Sequence, residues 1–187
     1  MSNNQVTLNR FFKSKFADKK VLSVDIDGTI ADISERIAIA DAKFKKGTGQ
    51  YYDCLLSSDR YHLDRPLPTS VRSLNEWSLT GGCIVYLSGR RAGTEKQTSE
   101  WLEVHGFPQG RVVHRERGTD SRRFKSKHLR EMTDTYAKVV AHIGDRIDDD
   151  GGAAKDANVR FIHIPANNDE AWKQWNQWSL LETALDL

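Results

Sequence analysis

Five short apolar runs rich in β-branched residues recur along this 187-residue chain, and segments with helical spacing alternate with them. That alternation predicts an α/β fold: a Rossmann-like, doubly wound parallel sheet with helices on both faces. A third observation adds a small helical cap, because the stretch after the first run is too long for an ordinary strand-to-helix connection.

The runs cover residues 21–26, 83–87, 111–114, 139–143 and 159–164, each of strand length. Helical patterning covers 69–79, 94–105, 125–132 and 152–157. The insertion spans about 32–66. Within it Ser34 opens a helical run, Gly47-Thr48-Gly49 breaks it, and Pro66 and Pro68 mark the return. Residues 6–16 suit a helix packed on the domain. Trp172, Trp175 and Trp178, with Leu181 beyond, form a stripe expected to dock on the core, a homodimer contact being the alternative.

At 38% hydrophobic content the chain suits one domain over residues 1–187. A formal charge of +2 lacks the basic excess of a typical nucleic-acid-binding domain, although a local patch stays open. Cys54 and Cys83 have no partner at zinc spacing, so neither a disulfide framework nor a zinc site is expected. The polar N-terminus has no secretory apolar run and no segment is apolar enough to span a bilayer, so a cytoplasmic protein without membrane contact is expected.

In doubly wound sheets ligands bind beyond the carboxyl ends of the strands. Those ends carry Asp25 and Asp27 in Asp25-Ile26-Asp27-Gly28-Thr29, then Ser88-Gly89-Arg90, then Gly144-Asp145 through Asp150. A phosphate ester resists attack because its oxygens are anionic and its alkoxide is a poor leaving group. Asp25 suits the nucleophile and Asp27 a general acid and base, which together split the reaction into two displacements. Gly28 permits a sharp turn, and Thr29 suits orienting the loop or Asp27 and is also a candidate phosphate contact. Ser88, Gly89 and Arg90 suit phosphate binding, and Lys125 or Lys127 supplies a cation near Asp25. Magnesium, which favours oxygen ligands, has candidate partners in Asp25, Asp27, Asp145 and Asp149. Asp148 and Asp150 read individually as a solvated helix start.

This ordered set resembles the haloacid dehalogenase (HAD) superfamily of phosphohydrolases over roughly residues 21–164. Asp25 to Thr29 matches its DxDGT motif, Ser88 its second motif, and Gly144-Asp145 with Asp149 its acidic loop. Phe124-Lys125-Ser126-Lys127-His128-Leu129 is similar to its FKxxxL form, which points to Lys125, with Lys127 the alternative. The resemblance implies a magnesium-dependent phosphatase, since members specialised for carbon–halogen bonds lack the aspartate matched by Asp27.

A narrower likeness runs through Leu87-Ser88-Gly89-Arg90, Gly93-Thr94, Trp101-Leu102 and Arg115-Glu116-Arg117-Gly118. It is to the phosphatase half of the bacteriophage polynucleotide kinase/phosphatases, and it implies a nucleotide or a nucleic-acid 3′-phosphate end as substrate. The chain departs from that pattern at Gly144-Asp145, where paired aspartates are expected, and in the spacing of its basic residues 122–127. No glycine-rich kinase loop is present. The alternatives are a phosphatase of small metabolites and a catalytically idle phosphate-binding module.

Overall fold

The computed structural model describes residues 19–135 and 138–174. The expected segment at 6–16 and the tryptophan stripe beyond Trp172 lie outside the described residues.

Five parallel strands form the central sheet: β1 (Lys20–Val24), β4 (Cys83–Arg91), β5 (Arg111–Arg115), β6 (Lys138–Gly144) and β7 (Phe161–His163), in the order β5-β4-β1-β6-β7. The chain runs outward from the central β1 in both directions, which is the doubly wound arrangement. Strand periodicity then sorts the side chains. Leu22, Val24, Ile84 and Tyr86 face one core, while Val21, Val85 and Leu87 face the other.

The first core is closed by Leu74 and Trp77 of α3 (Pro68–Leu79), Trp101 and Leu102 of α4 (Glu95–Val104), and Trp172 of α7 (Asp169–Lys173). The second is closed by Phe124, Leu129 and Met132 of α5 (Ser121–Thr135) and by Ala153 and Ala154 of α6 (Gly152–Asp156). Burying a large apolar side chain contributes about 1.5–3 kcal/mol, so these paired faces fix the sheet between its helices. Trp172 is wholly buried, and its indole N–H donates to the Thr29 carbonyl at 2.8 Å.

The insertion is bracketed by a two-stranded antiparallel ribbon, β2 (Ala31–Asp32) with β3 (Arg65–Pro66). Between them lie α1 (Ser34–Lys43), α2 (Gly49–Leu55) and a 3-10 turn (Ser58–Leu63). The insertion has its own small apolar cluster around Ala40, Tyr51 and Cys54. The Ser34 hydroxyl donates to the Asp32 carboxylate, and Thr48 caps α2 by accepting from the Tyr51 amide. Two elements run well past their expected bounds: α5 covers Ser121–Thr135 against the expected 125–132, and β4 continues past Leu87 to Arg91 because Arg91 still pairs with Arg115 on β5. β1 and β7 are shorter than the apolar runs that predict them.

Candidate active site

The turn after β1 brings the first motif to the sheet edge. The Asp25 amide donates to the Ile143 carbonyl at 2.8 Å, so the residue stays anchored beside β6 after the strand has ended. The Ile26 carbonyl then accepts from the amides of Thr29, Ile30 and Ala31. Gly28 adopts φ +85°, and a side chain there would bring its Cβ to 2.6 Å from the Asp145 carboxylate. Both the left-handed backbone and the close approach require glycine.

Around Asp25 the structure assembles Lys125, Asp145 and Asp150. The Lys125 ammonium, buried on α5, lies 3.0 Å from Asp25 Oδ1 and bonds the Asp150 carboxylate. Lys127, one helical step away, instead faces solvent opposite Glu131. Asp150 also meets His142 Nε2 at 3.0 Å, while His142 Nδ1 meets the Ser23 hydroxyl at 2.9 Å. Ser23 and His142 are register partners on β1 and β6, so the sheet sets that pair. A side chain at Gly144 would collide with the Asp150 carboxylate, and its absence lets Asp150 close over the strand end.

These groups perturb one another. Burial pushes the Asp25 carboxyl well above its ordinary value; Lys125 opposes this, and Asp150, Asp145 and Asp27 reinforce it. Burial likewise pushes Asp145 up to about 6, with Asp150 adding to the shift and Lys125 opposing it. Asp150 is desolvated too, but Lys125 and His142 outweigh that and hold it below the usual carboxylate range. Burial opposes the charge on Lys125, and Asp25 and Asp150 overcome it. His142 is pushed down, chiefly by burial, towards its neutral form.

Three carboxylates therefore share one buried cation, leaving an unbalanced negative charge. Asp25, Asp145 and Asp150 each offer an oxygen, all within 4.8 Å of one another. No well-formed hydrogen bond reaches Asp25 Oδ1. Closely set oxygen donors with uncompensated charge fit a hard divalent cation.

This donor set differs from the expected one at two positions: the Asp27 carboxylate is not among the clustered oxygens, and Asp150 stands in place of the expected Asp149. Asp149 lies 2.9 Å from Arg146 Nη1, whereas Asp150 is fully buried among the site carboxylates. The reason is a π-type turn (Ile147–Gly151), in which the Arg146 carbonyl accepts from the amides of both Asp150 and Gly151. The wider turn rotates Asp150 inward and Asp149 outward. The solvated-helix reading fails for Asp150, while Asp148 is exposed as that reading expects.

Asp27 belongs to a second cluster. Its Oδ1 accepts from Arg36 Nη2 at 2.7 Å and from Arg90 Nε at 2.8 Å. Asp64 closes the group: Oδ1 accepts from Arg36 Nε at 2.5 Å, and Oδ2 from Arg36 Nη2 at 3.0 Å and Arg90 Nη2 at 2.6 Å. Burial alone would raise the Asp27 pKa, but Arg90 and then Arg36 outweigh it and hold the carboxyl far below its usual range. At Asp64 burial prevails over the same guanidiniums and pushes the value up to about 6.

Two residues expected on the phosphate are engaged with carboxylates instead. Arg90 is fully buried, with its remaining Nη1 donating to Thr98 Oγ1 at 3.1 Å. The Thr29 hydroxyl donates to Asp145 Oδ1 at 3.4 Å. Ser88 is buried at the edge, where its hydroxyl accepts from the Arg90 amide at 3.3 Å, and Gly89 leaves the approach beside Ser121 open. His114 is tied to Thr94 and the Arg91 carbonyl, and His128 to Glu131.

Residues 2–172 match the family described as HAD superfamily, subfamily IIIB (acid phosphatase). The chain belongs to that family. Membership makes this HAD protein a phosphoric monoester hydrolase. Solved structures show the same fold at low identity. A class C acid phosphatase from Bacillus anthracis is similar at 20% identity and TM-score 0.59, covering 93% of this chain and 89% of that one. A predicted phosphatase from Clostridium acetobutylicum is similar at 14% identity and TM-score 0.58, covering 90% and 99%. A chain of a Pnkp1/Rnl/Hen1 complex is similar at 16% identity and TM-score 0.60, covering 82% of this chain but 49% of that one. Among curated proteins, none matches.

Sequence reasoning missed Arg36, Asp64, His142 and Ser23 as parts of the HAD site. For His142 a signal exists, because an imidazole inside the apolar run 139–143 must find a buried polar partner. Arg36 and Asp64 carry no such signal: they lie 28 residues apart within the insertion, and only the folded chain brings them together.

Proposed function

We propose that this HAD protein is a magnesium-dependent phosphomonoesterase working through an aspartyl-phosphate on Asp25, with a nucleic-acid 3′-phosphate end as substrate. The observation that carries the reading is Asp25 itself, a buried carboxylate 3.0 Å from the Lys125 ammonium and grouped with Asp145 and Asp150. Asp25 attacks phosphorus as the ester P–O bond breaks; Asp27, held ionised in the free protein by Arg90 and Arg36, takes up a proton when the phosphate dianion beside it raises its pKa, and gives that proton to the departing oxygen. Asp27 then takes a proton from water as that water cleaves the Asp25–phosphorus bond and regenerates the carboxylate. Lys125 holds Asp25 oriented and offsets charge on the phosphoryl oxygens, while Ser88 and the Gly89 backbone receive them. Asp25, Asp145 and Asp150 would hold magnesium, which would supply charge neutralisation for the meeting of two anions.

The choice of substrate rests on the rim. Arg91, next to the Ser88-Gly89-Arg90 run, bonds the Asp53 carboxylate of the insertion, and exposed Arg117 reaches the same carboxylate at 3.5 Å. One carboxylate against two guanidiniums leaves a cationic edge beside the site. The phosphodiester next to a terminal phosphate matches that charge.

The test is hydrolysis of para-nitrophenyl phosphate with and without magnesium, repeated with Asp25→Asn. Magnesium-dependent turnover that falls at least about 10³-fold in the variant is expected. Turnover unchanged in Asp25→Asn removes the covalent reading. Comparing a 3′-phosphorylated oligonucleotide with its 5′ counterpart, mononucleotides and sugar phosphates decides the substrate. Inert oligonucleotides beside an active small ester would return the protein to metabolite hydrolysis.

A further inference from the structure

We infer that Asp64, at the end of the insertion, is a positioning residue that fixes the Asp27 carboxylate for proton transfer. The inference rests on the role proposed above for Asp27. Asp64 is too deep to meet a substrate: its side chain is fully buried, and its backbone carbonyl accepts from the Trp101 indole at 3.2 Å.

Its carboxylate completes a ring of alternating charge, Asp27–Arg36–Asp64–Arg90, that crosses the boundary between insertion and sheet twice. Arg36 and Asp64 belong to the insertion, and Asp27 and Arg90 to the sheet edge. The ring is neutral, and both guanidiniums are fully committed. Arg36 Nη1 donates to the Leu55 carbonyl at 2.8 Å, and the Arg90 guanidinium lies 4.0 Å from the Tyr61 ring centroid. Both arginines converge on one Asp27 oxygen, Oδ1, and the Asp27 side chain keeps 17% exposure while both arginines have none. Oδ2 is thereby left to serve the leaving group.

Asp64 decides this division. It takes two bonds from Arg36 and one from Arg90, which turns each guanidinium so that a single edge meets Asp27. Without that anion, two buried cations face one carboxylate and must recruit its second oxygen to satisfy their N–H groups. Oδ2 is then drawn out of the site. Asp64 acts through the arginines, and its removal weakens the delivery of a proton rather than the binding of phosphate.

Leaving-group dependence separates this role from a general loss of structure. Para-nitrophenolate departs without a proton, whereas an alkoxide requires one. The experiment measures kcat and KM of the magnesium-loaded full chain on para-nitrophenyl phosphate and on a 3′-phosphorylated oligonucleotide, for wild type, Asp64→Asn and Asp64→Glu. In Asp64→Asn, kcat/KM on the alkyl ester is expected to fall roughly 10²-fold, with the aryl ester losing less than about a tenth of that factor, because kcat/KM reports the steps through departure of the leaving group and excludes the hydrolysis of the aspartyl-phosphate that both esters share. Asp64→Glu restores the anion one methylene out of place, and an intermediate split in the same direction is expected. Should Asp64→Asn fail to fold, the Asp64→Glu split carries the test alone. Alkyl and aryl rates falling in step, or neither falling, overturn the inference while leaving the hydrolase reading intact. A wild-type protein inert on both esters overturns the two together.

Discussion

Two buried charge clusters sit side by side at the carboxyl edge of the sheet, and they differ in whether their charges close. Around Asp27 two carboxylates meet two guanidiniums, and every arginine nitrogen has a partner. Around Asp25 three carboxylates meet one ammonium, with His142 pushed towards neutrality. The closed cluster is built like structure and the open one like a receptor. Buried charge is tolerated where it is paired, and the raised pKa values of Asp25 and Asp145 register the pairing that the open cluster lacks.

Breaking the closed cluster should have the largest effect on stability. Arg36→Met removes a cation with no exposure and leaves Asp27 and Asp64 sharing Arg90. Losing one partner of a buried pair costs about 3–5 kcal/mol, because the remaining charge stays behind uncompensated. Denaturant unfolding followed by tryptophan fluorescence is expected to show a loss of that size. A loss below about 1 kcal/mol, the ordinary worth of a surface ion pair, would mean that water reaches the ring and that the insertion does not seal it.

Much of this contrast was hidden in the sequence, and the reason is physical. The parallel sheet, its alternation of α and β elements and the edge carrying Asp25, Asp27, Ser88 and Asp145 follow from periodicity, which each segment carries locally. Lys125 was separable from Lys127 only by family likeness, and the helix now separates them by turning one inward and the other to solvent. Asp149 and Asp150 are indistinguishable as letters. Their exchange depends on one extra residue in a turn, a feature that composition does not encode. Arg90 follows the Ser88-Gly89 run and was expected on the phosphate, but its direction is set by Asp64, 26 residues away on the insertion. Pairings of that range are invisible to local pattern.

Opening the closed cluster costs stability, whereas emptying the open one should restore it. Asp145→Asn removes a carboxylate whose pKa is raised from 3.8 to about 6 by burial and by Asp150. In magnesium-free buffer the variant is expected to gain on the order of 1 kcal/mol at pH 7.5, after discount for its partial exposure, or about 2–4 °C in Tm. The sign with pH follows. A carboxyl raised in the folded state penalises folding above its folded pKa, so Asp145 and Asp64 let stability rise as pH falls from about 6 towards 3.8. Asp27 and Asp150, both depressed, stabilise above the ordinary carboxylate value and lose that contribution only below it. Thermal melts of the metal-free protein should therefore peak in mildly acid buffer, and added magnesium should raise Tm more at pH 7.5 than at pH 5. Equal magnesium shifts at both pH values would show that Asp145 is not among the ligands.

The smallest expected effect tests the boundary of the open cluster. Asp149 sits beside Asp150 in the chain but pairs with Arg146, whose side chain is 66% exposed. With the guanidinium in solvent and the Asp149 side chain 18% exposed, this half-exposed pair contributes about 1 kcal/mol or less. Asp149→Asn should leave kcat within about twofold and the magnesium midpoint for activation unchanged, whereas Asp150→Asn should lose both the Lys125 contact and a metal oxygen. If Asp149→Asn weakens the magnesium midpoint tenfold while Asp150→Asn does not, the π-type turn delivers Asp149 to the metal, and the cluster as drawn has the wrong third carboxylate. The test is stringent because the two residues share charge, size and position in the turn, and differ only in which way that turn points them.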